Sequence, residues 1–504
     1  MIGVIKALYR TQLLSIKGIW YLFCSIRLVG MNLMALLYVR QKLCPRQIAI
    51  SENGISINYC TLYTQSEHLA AQLAIHCDIK PQQKIAIMAG NHNILVHALF
   101  ALARLGADIY LLNTELSATQ LRDINNNVHF DWIIHDPEIT WLPPINNLPT
   151  YHENQISVYA LLTALPLTHQ MKIEITHFAK ITVLTSGTTG RFKLARRSGQ
   201  AQNFVSPFFQ LLVKLNLSHY RKIYIATPIY HGFGMATLCM SVLLGATMFL
   251  TRRFEAPKAC QLIAHNKIEV VTLVPLMLDR MLTYSETRLQ SLRCIISGGA
   301  PITATLVKQV LDRLGRVLFN LYGTSEAGIC MIASPDDLAV YPTTIGKPLK
   351  GLCTKLVAKE SAANMRNELY IKCAWSTGGH YWVATGDLAD KDADGYYYLN
   401  GRVDDMIVSG GENVYPFELQ QCLSMHPKVK DTAVIGVDDE EFGQRLVAFI
   451  VLASDAEQTE AIIFSWLKTM VARYQMPKKV IFVDELPMTE IGKVDRKKLR
   501  QLLS

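Results

Sequence analysis

The chain has 504 residues, of which 50% are hydrophobic and 18% charged, and its formal net charge is +9. This length exceeds one ordinary domain, and this composition excludes an intrinsically disordered protein. A charge of this size on so long a chain excludes a nucleic-acid binder, and it suits small anionic partners or an acidic membrane surface. The 11 cysteines are scattered without a CxxC pair, so the sequence predicts no zinc site, no disulfide framework and a cytoplasmic protein with reduced thiols.

Residues 1–45 form an apolar segment that is interrupted by basic residues such as Lys6, Arg10, Lys17 and Arg27. Three interpretations are open: helices that lie in a membrane interface, a helical hairpin packed on the main domain, or one spanning helix over residues 18–39. A spanning helix would place Arg27 near the bilayer centre. Interfacial helices tolerate such bases, with Trp20 and Phe23 at the depth of the headgroups. We therefore expect peripheral contact with the inner face of the membrane.

Residues 46–400 alternate between short apolar strands and segments with helical periodicity. KIAIM at residues 84–88, for example, precedes a helical segment that ends at Gly106, and further strands follow at 107–113 and 130–135. Such repeats predict an α/β fold, in which a large N-terminal domain contains mostly parallel sheets covered by helices. After residue 401 the pattern changes, and residues 401–504 predict a small, mobile α+β C-terminal domain.

The densest run of small polar residues, VLTSGTTGRFK, spans residues 183–193 and follows a predicted strand. Gly187 and Gly190 would let the backbone approach a ligand closely. Phosphate oxygens could be bound by backbone N–H groups and by four hydroxyls: Thr185, Ser186, Thr188 and Thr189. Lys193 adds a positive charge, but it follows Gly190 by three positions and not by one, so this is not a Walker loop. An ordinary polar turn is the alternative.

Three further stretches carry candidate site residues. In LYGTSEAG at 321–328, Glu326 could hold Mg²⁺ and Thr324 or Ser325 could contact phosphate, or Glu326 could simply begin a helix. In residues 384–416, Asp387 could accept from ribose hydroxyls and Arg402 could bind phosphate. In ELPMTEIGKVDRKKL at 485–499, a lone Lys493 follows a glycine, and by itself it is typical of a solvated surface charge.

In this order and spacing, the four stretches resemble the adenylate-forming superfamily, which includes acyl-CoA synthetases, luciferases and the adenylation domains of peptide synthetases. The likeness extends from about Pro45 to the C-terminus, and it is greatest to bacterial fatty acyl-CoA synthetases, through GADIYLLNTELSATQL at 106–121. The resemblance implies ATP, Mg²⁺ and coenzyme A as cofactors and a small-molecule carboxylic acid as substrate. It also implies that the acid is first activated as an acyl-adenylate and then transferred to a thiol.

The resemblance also assigns roles to individual residues. The catalytic residues would be Lys493, Lys193, His231 and Glu326, of which Glu326 binds the metal. His231, in PIYHGFGM, would gate the acyl and thiol channels, and Asp404 would be the hinge. The nucleotide, acyl and thiol sites would be lined by Thr185, Ser186, Gly187, Thr188, Thr189, Gly190, Gly298, Gly299, Ala300, Asn320, Tyr322, Gly323, Thr324, Ser325, Asp387, Arg402, Ser409, Gly410, Gly411 and Glu412.

Two departures from the family pattern bear on the activity. Phe192 and Leu194 flank Lys193 where the family usually has Pro and Gly, which would stiffen a loop that is expected to move. The stretch from Asn367 to Ala384 is shorter than usual, which argues against ligases that load carrier proteins. The main hypothesis is a fatty acyl-CoA synthetase. An enzyme that loads a carrier-protein phosphopantetheine and a weakly active acyl- or nucleotide-binding relative are the alternatives.

Overall fold

The structure is a computed structural model that describes residues 2–165, 173–174, 177, 179–185, 193–194, 205–324, 326–359, 366–409, 412–453, 459–489 and 493–503. Its α-helices are α1 Ile2–Arg10, α2 Ile16–Val29, α3 Leu33–Leu43, α4 Tyr59–His76, α5 Asn93–Leu105, α6 Ala118–Val128, α7 Val158–Thr163, α8 Val205–Lys214, α9 Gly232–Leu244, α10 Ala256–Asn266, α11 Pro275–Ser285, α12 Ala304–Leu314, α13 Pro335–Val340, α14 Pro416–Ser424, α15 Glu460–Leu467 and α16 Arg496–Gln501.

The strands are β1 Ile48–Glu52, β2 Ile55–Asn58, β3 Lys84–Met88, β4 Asp108–Leu111, β5 Trp132–His135, β6 Asn146–Pro149, β7 Ile181–Thr185, β8 Lys193–Leu194, β9 Lys222–Ile225, β10 Thr247–Leu250, β11 Val270–Leu273, β12 Cys294–Gly298, β13 Leu318–Thr324, β14 Gly328–Ala333, β15 Lys347–Pro348, β16 Cys353–Lys359, β17 Arg366–Lys372, β18 Val383–Lys391, β19 Tyr397–Arg402, β20 Ile407–Ser409, β21 Glu412–Val414, β22 Val429–Asp439, β23 Gly443–Leu452 and β24 Lys479–Phe482.

The chain divides into two compact units. Unit 1 contains residues 1–273, 277–297 and 313–319, and unit 2 contains residues 274–276, 298–312 and 320–504. The domain limits that the sequence pattern predicts, at residues 45 and 400, stay a prediction.

Unit 1 contains two mostly parallel sheets. One has the strand order β6-β5-β3-β4-β7-β8 and is parallel except for the pair β7–β8. In the other, β12, β11, β9, β10 and β1 are parallel neighbours, and β2 pairs antiparallel with β1. Helices α4 and α5 pack on each other and bury apolar side chains together with residues of these strands. Strands buried by helices in this way require the near-continuous apolar runs that the sequence shows.

Unit 2 contains antiparallel sheets. Strands β16-β17-β18-β19 form a meander, and β21-β20-β23-β22 form a second sheet in which β24 lies parallel beside β23. The turn between β18 and β19 is closed by a hydrogen bond from Gly395 N to Asp392 O of 3.1 Å, as the DADG sequence predicts. Helices α14 and α15 cover one face of the second sheet. The predicted α/β fold class, with mostly parallel sheets and a small α+β C-terminal part, is confirmed.

The N-terminal segment contains separate helices where the third interpretation placed a single span. Helix α2 ends at Val29, Gly30 follows with φ 83°, and α3 begins after the N-cap Asn32. The spanning-helix interpretation is therefore wrong. Among the described residues, no helix is long and apolar enough to cross a membrane. Helix α3 is largely buried against α4, α5 and α9.

Asp136, a buried carboxylate after β5, connects the ends of several elements of unit 1. Its Oδ1 accepts from His92 Nε2 at 2.8 Å and from Thr150 Oγ1 at 2.8 Å. Its Oδ2 accepts from Gly90 N at 3.0 Å and from Arg252 Nε at 3.3 Å, and Arg252 Nη2 forms an ion pair with it at 2.9 Å. Burial alone would raise the pKa of Asp136, but these donors outweigh it and hold the pKa well below its usual range.

We predict that Asp136→Asn lowers the free energy of unfolding by about 3–5 kcal/mol, because it leaves buried donors without a charged acceptor. Since the folded-state pKa of Asp136 is depressed, its stabilisation is present above the unfolded pKa of about 4 and is lost as the pH falls through the folded value. The difference between wild type and variant should therefore shrink at acid pH. Urea unfolding followed by circular dichroism measures both effects.

Glu138→Gln is the matched control, because Glu138 binds the same Arg252 guanidinium but is exposed. An exposed pair should contribute less than about 1 kcal/mol. Equal losses in the two variants would contradict the role assigned to Asp136.

Candidate active site

The predicted phosphate loop lies between two neighbouring strands of the chain. Strands β7 and β8 pair antiparallel, with Thr185 opposite Lys193 and Leu184 opposite Leu194. Leu194, which stands where the family has Gly, is therefore a strand residue. Five predicted loop residues lie outside the described part of the chain: Ser186, Gly187, Thr188, Thr189 and Gly190.

Glu326 lies in the turn between β13 and β14, so the alternative that it begins a helix is wrong. Gly323 is required beside this turn, because a Cβ there would meet Gly328 O at 2.4 Å. Thr324 Oγ1 accepts from Ala327 N at 3.1 Å and so braces the turn. Ser325 lies outside the described residues. The described residues contain no cluster of three metal-ligating side chains, but Mg²⁺ commonly uses one carboxylate with substrate phosphates, so Glu326 fits such an ion.

Two further predicted segments lie at the end of β12 and within β13. Gly299, between Gly298 and Ala300, is exposed and has φ +81°, so the SGGA sequence turns sharply after β12. A Cβ at Gly299 would lie 3.7 Å from Val274 Cγ1. Asn320, buried in β13, donates from Nδ2 to Thr344 O at 2.9 Å. Its side chain therefore contributes to the packing of unit 2.

Asp387 is the centre of a buried polar cluster in unit 2. Its Oδ2 accepts from the Tyr322 hydroxyl at 2.6 Å, and its Oδ1 accepts from Arg402 at 2.7 Å. Strands β18 and β19 place Asp387 opposite Arg402 in register. Gly386 has φ +72°, and a Cβ there would lie 2.7 Å from the Arg402 guanidinium. Sequence reasoning missed the bond between Tyr322 and Asp387 and the need for Gly386, although the TGD triplet contains that glycine.

The cluster keeps hydrogen-bonding capacity for a ligand. An ionised carboxylate has about four acceptor positions, and neighbours in the described chain occupy two of those on Asp387. The buried Arg402 Nε has no hydrogen-bond partner among the described residues. By contrast, all four positions on Asp136 are filled. Free acceptors beside a free donor fit a hydroxyl-bearing ligand such as a ribose, whereas Asp136 is saturated and structural.

The pKa values in the cluster reflect burial and charge. Burial raises the pKa of Asp387, although Arg402 and Tyr322 oppose the shift. Burial and the neighbouring Asp387 raise the pKa of Tyr322 well above its usual range, so the hydroxyl stays a donor. Burial would lower the pKa of Arg402, but the charges of Asp387, Asp404 and Asp405 outweigh it and raise that pKa. The cluster thus contains a charged guanidinium and a carboxylate with raised proton affinity.

Lys493 lies within electrostatic range of this cluster, although it is far along the chain. Reduced hydration is the main cause that lowers the pKa of Lys493, and the charge of Arg402 lowers it further. The charge of Asp387 opposes this shift. By surface area Lys493 is exposed, so we read this shift as partial desolvation of a charged ammonium. Its backbone is held by a pair of bonds with Thr489, of 2.8 Å and 3.2 Å. Lys493 is thus an exposed lysine whose charge interacts with Asp387 and Arg402, and its catalytic role stays a prediction.

The remaining predicted site residues lie outside the Asp387 cluster. His231 is in unit 1, where it is the N-cap of α9 and its ring lies 4.7 Å from that of Tyr230. Ser409 and Glu412 face each other in the β20–β21 hairpin, and Gly410 and Gly411 between them lie outside the described residues. Within the described chain, the structure brings together four predicted residues: Tyr322, Asp387, Arg402 and Lys493.

Comparison with known proteins places this chain in a family. Residues 39–381 match the family model of the AMP-binding enzymes, and residues 418–493 match that of the AMP-binding enzyme C-terminal domain. A 2-succinylbenzoate–CoA ligase of Bacillus cytotoxicus is 29% identical over 488 residues, covering 92% of this chain and 97% of the relative. One of Geobacillus sp. is 28% identical over 489 residues, with 92% and 96% covered.

Solved structures agree with these relatives. The o-succinylbenzoate CoA synthetase of Bacillus subtilis, in complex with an acyl-adenylate intermediate, is 25% identical with a TM-score of 0.78, covering 92% of this chain and 97% of that one. The same enzyme in complex with ATP and magnesium ion is also 25% identical, with a TM-score of 0.77 and 92% and 99% covered. In these relatives the expected cofactors ATP, Mg²⁺ and coenzyme A are confirmed.

The relatives correct the finer expectations. They are named for an aromatic acid, so the predicted fatty-acid substrate, and the membrane contact that was expected with it, receive no support from them, and neither does a carrier protein. The coarser prediction, an ATP-dependent acid–thiol ligase that forms an acyl-adenylate, agrees with all of them. The family match covers well over half of the chain, and the chain belongs to the AMP-binding enzyme family.

Proposed function

We propose that the chain is an AMP-forming acid–CoA ligase whose substrate is 2-succinylbenzoate or a closely similar aromatic acid. The observation that carries the proposal is the Asp387 cluster, because its unused acceptors and the unused Arg402 donor fit a nucleotide ribose. The aromatic acid is proposed from the relatives, which match this chain over nearly its whole length.

In the first step, a substrate carboxylate oxygen attacks the α-phosphorus of ATP, and pyrophosphate leaves with the electrons of the broken P–O bond. Negative charge on the phosphoryl oxygens grows in the transition state, so the positive charges of Lys493 and Lys193 stabilise it. Glu326 would hold Mg²⁺, which would supply further positive charge to the phosphates. Asp387 and Arg402 orient the nucleotide and take no proton from the substrate.

In the second step, the coenzyme A thiol attacks the acyl carbonyl carbon, and AMP leaves. The resemblance assigns this step to a different position of the small domain, with a rotation near Asp404 that withdraws Lys493 and brings the Ser409–Glu412 hairpin to the thiol. His231 would then separate the acyl and thiol channels. These roles are part of the proposal.

Contact with a membrane surface is a separate proposal, which the relatives reported above do not support. A carrier protein as acceptor receives no support from the relatives, which are named as CoA ligases. A weakly active relative is disfavoured, because Asp387 and Arg402 form the paired buried cluster that nucleotide binding needs.

The substrate assignment is tested by pyrophosphate release with a panel of acids. We expect 2-succinylbenzoate to give the highest kcat/KM, benzoates without the succinyl chain to be poor substrates, and long-chain fatty acids to be near background. Preference for a fatty acid would contradict the aromatic assignment. Release with no acid, or with none above background, would contradict the ligase itself.

Lys493→Ala should separate the two half-reactions. Its charge helps only while negative charge grows on phosphate, and one lost contact of this kind costs on the order of 10²–10³ in rate. Adenylation from acid and ATP should fall by that factor, whereas thioester formation from synthetic acyl-AMP and coenzyme A should be nearly unchanged. Lys497→Ala, four residues on in α16 and exposed, is the control and should keep both rates. Equal loss in both half-reactions would exclude this role.

Tyr322→Phe should weaken ATP binding and change its pH dependence. The variant removes one donor to the charged form of Asp387, so the already raised pKa of Asp387 rises further. We expect the KM for ATP to rise by roughly 10-fold, from the loss of a hydrogen bond to a charged group, with a smaller fall in kcat. The acid limb of kcat/KM should move to higher pH.

Tyr396→Phe is the matched control for this prediction. Its hydroxyl also donates to a carboxylate, Asp337 Oδ1 at 2.5 Å, but away from the cluster. It should leave the KM and the acid limb unchanged. The positioning role of Tyr322 is refuted if both variants behave alike.

A further inference from the structure

The N-terminal segment has a one-sided charge composition. The first 51 residues contain no acidic side chain and seven basic ones: Lys6, Arg10, Lys17, Arg27, Arg40, Lys42 and Arg46. Arg40 is buried, whereas the other six are exposed. The match to the family model begins at residue 39. Most of this basic segment is therefore additional to the part of the chain that carries the family's chemistry.

Helix α2 in this segment has its apolar face turned outward. Trp20 and Phe23 are 60% and 59% exposed, and their rings stack at 6.2 Å. Ile16, Ile19 and Ile26 are exposed with them. The spacing of these five residues puts them on one side of the helix. A contiguous apolar face of this kind is uncommon on soluble monomers and indicates an interaction surface.

The opposite side of α2 is buried. The residues of α2 that face inward are small or polar, Gly18 and Ser25, with Val29 at the end. A Cβ at Gly18 would meet Gln12 O at 2.2 Å, so no larger residue fits there. The Ser25 hydroxyl is satisfied by donating to Leu22 O at 2.7 Å. The side of α2 that is buried therefore contains no large aromatic residue, and the Trp20 and Phe23 rings lie on the opposite, exposed side.

We propose that the exposed face of α2 binds an anionic phospholipid surface, with the helix lying in the plane of the interface. The 14 residues of α2 extend about 21 Å at 1.5 Å per residue, too short to span a bilayer core. The aromatic pair would enter the headgroup region, while Lys17 and Arg27 extend to lipid phosphates. A second copy of the chain is disfavoured as occupant, because it would bring two sets of exposed basic residues together without acidic partners.

The test is sedimentation of the full-length protein with vesicles of phosphatidylcholine alone and of phosphatidylcholine mixed equally with phosphatidylglycerol. We expect strong binding to the anionic vesicles, weak binding to the neutral ones and weakening by salt. Lys17→Gln with Arg27→Gln should lower anionic binding by about 25-fold, because each base near an anionic surface contributes about fivefold. Trp20→Glu with Phe23→Glu should lower it by roughly 100-fold, since binding follows buried apolar area.

Tyr151→Glu with Tyr159→Glu is the matched control. These tyrosines form another exposed aromatic pair in unit 1, at 5.4 Å between rings and with 45% and 44% exposure. The control should bind vesicles like wild type. Pyrophosphate release with a soluble acid, without vesicles, should be equal in all variants and shows that they are folded.

The proposal is overturned if the protein does not bind anionic vesicles, or if the control pair loses as much binding as Trp20→Glu with Phe23→Glu. It is also overturned if the wild type does not bind vesicles but self-associates, and Trp20→Glu with Phe23→Glu abolishes that self-association. The last result would assign the face to a second copy. Vesicle binding is measured without turnover, so its failure is distinguishable from failure of the proposed ligase activity.

Discussion

The burial of one carboxylate, Asp387, constrains the geometry of unit 2 around the candidate site. An ionised carboxylate withdrawn from water costs several kcal/mol unless charge and hydrogen bonds compensate it. Compensation here requires Arg402 opposite it on β19 and the Tyr322 hydroxyl from β13. The same requirement excludes a side chain at Gly386, because the guanidinium occupies that space. The register of β18 and β19 and the position of β13 are therefore tied to a single charge.

The two buried carboxylates, Asp387 and Asp136, differ in how many of their acceptor positions are filled. Asp136 in unit 1 accepts four hydrogen bonds and has none left to offer, so it contributes to stability alone. Asp387 accepts two, and its partner Arg402 has an unpaired buried Nε among the described residues. Burial without saturation is costly, and a protein that tolerates it generally recovers the cost on binding a ligand. Hydrogen-bond saturation separates these carboxylates better than burial does.

The two proposals place different demands on the chain. The ligase chemistry requires charges delivered to a phosphate from distant parts of the sequence, such as Arg402 and Lys493. The lipid surface requires only a local helix whose inner face is small, and α2 has this through Gly18 and Ser25. Because the family match begins after α2, the apolar face is separate in the sequence from the residues proposed to hold the nucleotide.

The sequence by itself determined the family, the α/β class and the order of the four motifs along the chain. It also determined the residue types at the candidate site, because the spacing of glycines, hydroxyls and charges is a local property of each motif. Strand β7, the turn after Asp392 and the helix near residue 460 all follow from short-range patterns. The sequence also left open a single spanning helix over residues 18–39, and this interpretation is wrong. The break at Gly30 depends on the packing of α2 beside α3, which a local pattern does not show. Only the tertiary structure decided that Tyr322 bonds Asp387, that Lys493 lies near Arg402, and which face of α2 points outward. Those facts depend on contacts between residues tens to more than a hundred positions apart, or on the fit of one helix against another, and no local pattern encodes them.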